Sequence, residues 1–231
     1  MTIALPRPRM PRPRILADRS RALIGRLRRD ASGLALLEFA YTLPVLVTLC
    51  VAGTEVTNYI TTKMRVSQLA LAIADNAARM GSGSLLTAKS ITETDINDVF
   101  IGGQLESGKL DLATNGRVIL SDLEPVANPN TTGKFKIGWQ RCYGAKTAHA
   151  SSYGVAGQTN MAGMGPATRP VDAQDGNATM FVEVYYVYKP IINLTWVPSA
   201  TFTEIASMAV REQRDLTTGP TNTAGAPVAR C

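Results

Sequence analysis

"GLALLEFAYTLPVLVTLCVAG", residues 33–53, is an almost unbroken apolar run with one carboxylate, Glu38, five residues after its first glycine. The 21 residues 34–54 carry no other formal charge. At 1.5 Å rise per residue a helix over that stretch extends about 30 Å, the thickness of a bilayer's hydrocarbon core. The spacing predicts a transmembrane helix.

Flanking charge sets its orientation. Residues 1–33 hold nine arginines (Arg7, Arg9, Arg12, Arg14, Arg19, Arg21, Arg26, Arg28, Arg29) against Asp18 and Asp30, a local net charge of +7. The whole chain carries +6, so residues 34–231 carry −1 and the basic character belongs to the leader. Arginine excess on the N-terminal side places that side in the cytoplasm and the rest beyond the inner membrane. The leader contains no aromatic side chain on which a base could stack, which disfavours a nucleic-acid partner. A cleaved secretory signal competes for the same run, with Val51-Ala52-Gly53 as its small-residue site. Sixteen uncharged residues, 39–54, exceed an ordinary signal core, and Glu38 and Pro44 interrupt it. Cys50 follows Leu49, not the small residue of a lipoprotein signal. The reading is a retained anchor.

Helical patterning continues past the apolar run. Residues 55–80 contain no Gly or Pro, and Val56, Tyr59, Ile60, Val66, Leu69, Ile73, Ala77 and Met80 recur near helical spacing. "GSGS" (81–84) stops the pattern. One helix over 34–80 is predicted, with Pro44 removing a hydrogen bond that Thr42 or Thr48 could replace. The remainder reads as mixed: a short helix at 90–100 ended by Gly102-Gly103, then strands at "RVILSDL" (117–123), "KFKIGWQRCY" (134–143), "TMFVEVYYVYKP" (179–190) and "TEIASMAVREQ" (203–213), the last with a helix as its alternative because alanine and glutamate suit one. Asp175-Gly176-Asn177 is a turn signal ahead of the third strand. With 45% hydrophobic residues, the chain has material for a core. The expected class is α+β: a long N-terminal transmembrane and amphipathic helix, then a small extracytoplasmic domain with an antiparallel sheet. The expected segments are leader 1–33, span 34–54, helix continuation 55–80, α+β domain 81–216 and flexible tail 217–231. Residues 144–177, rich in Gly, Ala, Ser and Asn, read as a long functional or mobile loop.

No catalytic constellation stands out, and an enzyme is not expected. The single histidine, His149, falls in that loop with no partner motif. No glycine cluster has phosphate-loop or dinucleotide spacing, and Asp172, Asp175 and Asn177 do not match a calcium loop. No metal or cofactor is expected. Cys50 lies in the span and reads as a packing residue. Cys142 and Cys231 lie where oxidation is permitted, so a bridge between them, two free thiols, or pairing between chains through Cys231 are the alternatives.

The ensemble of arginine cluster, Gly33, Glu38-Phe39, Leu43-Pro44, apolar run and second acid Glu55 resembles the N-terminal region of TadE-like proteins. These are minor pilin-like components of the tight-adherence (Flp/Tad) pilus assembly machinery. The later "VEVYYVYKPII" and "IASMAVREQ" are similar to the C-terminal strand pattern of the same proteins. The resemblance implies a prepilin peptidase that cuts after Gly33, leaving Leu34 as the new N-terminus and Glu38 as the fifth residue. It also implies that Glu38, Phe39 and Pro44 serve assembly with other pilin-like subunits and the Tad secretion machinery. The physics is coherent with this. A carboxylate at mid-bilayer costs roughly 2.5–3.5 kcal/mol, less near an interface. The positive end of the helix dipole offsets part of that cost, and a cut after Gly33 frees an α-amine four residues from Glu38. The rival readings are a type II secretion pseudopilin and a signal-anchored extracytoplasmic sensor or hydrolase.

Overall fold

The computed structural model describes residues 13–30, 32–83, 87–192 and 200–231. Arg7, Arg9, Arg12 and the last serine of "GSGS" lie outside the described residues. The chain divides into two units, Met1–Thr54 and Glu55–Cys231. Helix α1 (Pro13–Arg29) is followed by α2 (Ser32–Arg79), a 48-residue helix that contains Pro44. Then come α3 (Glu93–Ser107), a 3-10 turn (Gly108–Leu110), α4 (Leu112–Asn115) and four strands: β1 (Gly116–Pro125), β2 (Phe135–Tyr143), β3 (Thr179–Val187) and β4 (Thr201–Ala209).

In the first unit, residues 32–54 of α2 are all exposed. α2 is long and apolar enough to cross a membrane, and no part of its most apolar window is buried. Around Pro44 the hydroxyls act differently from expectation. Thr48 Oγ1 donates to the Pro44 carbonyl at 2.7 Å and Thr42 Oγ1 to the Phe39 carbonyl at 3.4 Å. Neither reaches the carbonyl four residues before the proline.

The second unit is α+β. Its sheet is antiparallel, in the order β2-β1-β3-β4. Val118 sits opposite Tyr143 on β2 and Val184 on β3, and Thr179 faces Ala209 on β4. Central β1 is buried along its whole length, which is why it reads as a continuous run and not an alternating one. On one face Val118, Leu120, Met180, Val182 and Val184 join Val66, Leu69, Ala70, Ile73, Ala74 and Ala77 of α2 and Ile96 and Phe100 of α3 in the main core. The α2 residues recur at three- and four-residue steps, and the alanines let the helix approach closely. Of the predicted stripe, Val56, Tyr59 and Ile60 stay exposed, so the buried face starts at Thr62.

One expectation is corrected. The helix predicted at 90–100 begins at Glu93 and runs through Gly102-Gly103 to Ser107. Thr92 caps it, its hydroxyl accepting from Asp95 N while the Asp95 carboxylate accepts from Thr92 N. Gly103 is a contact, not a stop: a Cβ there would stand 2.8 Å from Ile73 Cδ1. The 144–177 segment holds no helix or strand, as expected of a loop, and it is packed on the sheet. Tyr153, Met161, Met164, Val171 and Ala173 pack with Leu123, Phe135, Ile137 and Phe181 in a second core on the other sheet face. Met161 exchanges both backbone hydrogen bonds with Phe135. At the end of α2, Gly81 (φ +105°) turns the chain away, and the buried Arg214 donates Nη2 to the Ala77 and Met80 carbonyls at 3.3 and 2.9 Å.

Candidate functional site

The residues expected to serve processing and assembly lie together at the start of α2. Asp30 stands between the helices, and its Oδ1 accepts from Ser32 N at 3.0 Å and from the Ser32 hydroxyl. These bonds hold the Asp30 carboxyl below its usual range. Gly33 has open space where a Cβ would sit. Leu34 and Phe39 are each 58% exposed. Glu38 is exposed and has no hydrogen-bond or ion-pair partner among the described residues, and Pro44 is exposed within the helix. Cys50 is a free, exposed thiol on the same segment.

Glu55, the second acid of the motif, is built into the second unit. Its Oε1 accepts from the Tyr188 hydroxyl at 2.6 Å, and its Oε2 accepts from the backbone N–H of Ile191 (3.0 Å) and Ile192 (3.3 Å). Asn58 Nδ2 donates to the same tyrosine oxygen at 2.7 Å. Tyr59, Tyr188 and Phe202 meet edge-on or tilted at 4.9 to 5.7 Å between ring centres. Burial, and then donation to Glu55, pushes the Tyr188 hydroxyl up to about 12. One carboxylate thus ties the chain leaving β3 to α2. The sequence marked Glu55 through its resemblance, but Tyr188 and Asn58 carried no signal beyond polarity at helical or strand spacing.

His149 has a partner that its surroundings in sequence did not reveal. Its Nε2 lies 2.9 Å from Oε1 of Glu183, a side chain 1% exposed on β3. Ser151 Oγ and Ser152 N donate to Oε2 of the same carboxylate at 3.0 and 3.2 Å, and the imidazole stacks on Tyr185 at 4.1 Å. A serine, a histidine and a glutamate therefore meet, but the hydroxyl and the imidazole both point into the carboxylate. A nucleophilic relay needs the serine on the imidazole. This arrangement instead satisfies a buried charge and fastens the 144–177 segment to the sheet.

The Cys142 and Cys231 sulfurs form a disulfide with Cα atoms 4.9 Å apart. Cys142 N donates to the Ala229 carbonyl at 2.8 Å, Asn97 Nδ2 to Pro227 O at 2.8 Å, and Glu93 N to Thr221 O at 2.9 Å. The residues expected to form a flexible tail are fixed along α3 and β2. Asp175 and Asn177 engage protein groups: Asp175 Oδ1 accepts from Asn130 N at 3.0 Å, and Asn177 Nδ2 donates to Val210 O at 2.7 Å. Compared with known proteins, the chain matches no family model, no curated protein and no solved structure.

Proposed function

We propose that the chain is a pilin-like structural subunit of a Tad/Flp-type pilus assembly system. In this reading it is a single-pass inner-membrane protein with a cytoplasmic N-terminus and an extracytoplasmic α+β domain, and a prepilin peptidase cuts it after Gly33. The observation that carries the reading is an apolar helical segment that none of the described residues buries, bearing a carboxylate without a partner among them near its start. Such a segment needs lipid or other helices around it, because exposed apolar surface of this extent is not stable in water. Glu38 then needs a cation. Cleavage supplies one in the α-amine of Leu34, four residues away along the helix or in a neighbouring subunit. Removal of the arginines frees the segment from the cytoplasmic leaflet, so the same cut would permit packing into an assembly. Glu55 and Tyr188 support the division of labour, since within the second unit they tie the chain leaving β3 to α2 just past the apolar run.

The test is the N-terminus of the membrane-extracted protein made together with a prepilin peptidase. Intact mass should show a chain that starts at Leu34, and Gly33→Val should leave the leader in place and block assembly. A wild-type chain that retains its leader under these conditions would remove the processing reading and favour a permanent anchor.

A further inference from the structure

The second half of α1 is covered by none of the described residues. In this half, residues 21–29, every side chain is exposed, among them Leu23 at 61%, Ile24 at 56% and Leu27 at 73%. At about 100° per residue these three project within an arc of about 100°. Arg21 and Arg28 border one side of the arc, Arg26 borders the other, and Gly25 falls on the far side. None of these arginines forms an ion pair among the described residues. Residue 30 is not helical and its carboxylate starts α2, so α1 is a helix in its own right and no extension of the apolar run.

A helix of 17 residues is marginal in water unless its apolar stripe is covered. The occupant must be apolar in one layer and anionic in the next, because the stripe is flanked by cations on both sides. A second copy of α1 fits poorly: the helix holds six arginines against Asp18, and two such helices repel. An anionic bilayer surface has both layers at the required depth.

We propose that α1 lies in the plane of the cytoplasmic leaflet, with Leu23, Ile24 and Leu27 among the acyl chains and Arg21, Arg26 and Arg28 on the phosphates of anionic phospholipids. The proposal rests on the reading of residues 34–54 as a membrane span. It adds a role for the leader beyond orientation: α1 holds Gly33, four residues past its end, at headgroup level, where a membrane-embedded peptidase can reach it.

The test uses the full, unprocessed chain with Cys50→Ser, reconstituted into vesicles, and an environment-sensitive fluorophore attached at Leu23→Cys or at Gly25→Cys. In vesicles of phosphatidylcholine mixed with phosphatidylglycerol, nitroxide lipids should quench the label at 23 about threefold more than the label at 25, and aqueous iodide should do the reverse. In pure phosphatidylcholine, or at high salt, the difference should shrink. A triple Arg21→Glu, Arg26→Glu, Arg28→Glu variant should lose it, whereas the triple lysine variant should retain it. Equal quenching at 23 and 25 in a protein that still floats with the vesicles after alkaline extraction overturns the proposal and leaves the membrane reading intact. A chain that does not float overturns both.

Discussion

Asp122 is a carboxyl group enclosed on the helix-covered side of the central strand, 1% exposed and opposite Met180 of β3. Its neighbours on that side are Glu124, Arg214 and Lys136, and its Oδ1 accepts no hydrogen bond among the described residues. Burial, and then the adjacent Glu124, pushes Asp122 well above the ordinary carboxylate range, against the pull of Arg214 and Lys136. A carboxyl raised in the folded state stabilises the fold fully below its unfolded value, about 3.9, and loses that contribution as pH rises through the folded value. Asp122→Asn removes this dependence. Thermal unfolding in detergent should therefore show the variant gaining on the wild type as pH is raised from about 4. A gap that stays constant or closes with rising pH would contradict the assignment. Glu183 shows the opposite solution to the same problem, since its buried oxygens are both occupied by partners from the 144–177 segment.

At the scale of elements, α3 and α2 meet through a glycine. Gly103 leaves no room for a Cβ beside Ile73, whose Cγ1 and Cδ1 would stand 2.9 and 2.8 Å away, whereas neighbouring Gly102 faces open space. Gly103→Val should force the helices apart and cost about 1–3 kcal/mol, while Gly102→Ala should be neutral or slightly stabilising because it only removes backbone freedom. Denaturant midpoints for the two variants check this, and equal midpoints would argue against close helix contact at 103. The same pair shows why two glycines looked like a helix end in the sequence. Local propensity opposes helix there by about 1 kcal/mol per glycine, and only packing against Ile73 shows what one of them is for. A β-bulge follows similar logic: Gly138 and Trp139 of β2 together oppose Asp122, and a Cβ on Gly138 would stand 2.5 Å from Glu124 Oε1.

For the molecule as a whole, the covalent link between Cys142 and Cys231 joins residues 89 apart in sequence. Cys231→Ser should lower stability by about 2–4 kcal/mol, chiefly through a freer unfolded chain. It should also release the tail, read as faster amide exchange at Ala229 and Arg230 with unchanged exchange in β1. Unchanged exchange in the tail would mean that the Ala229 and Pro227 hydrogen bonds hold it alone.

The sequence by itself determined the parts whose signal is local and periodic. These are the apolar run at 34–54, the helix that carries it to Arg79, and four strands at or near the observed bounds, because three- to four-residue spacing and β-branched, aromatic alternation act within one element. The exposed positions of Gly33 and Glu38 follow from that helix alone. Tertiary structure decided the rest. It carried α3 through its glycines, laid the 144–177 segment over the second sheet face, paired His149 with Glu183 and Glu55 with Tyr188, and fixed the tail to β2. Each of these joins groups far apart in the chain, and their meeting is set by burial and by the need to satisfy buried polar atoms. No window of neighbouring residues contains both partners.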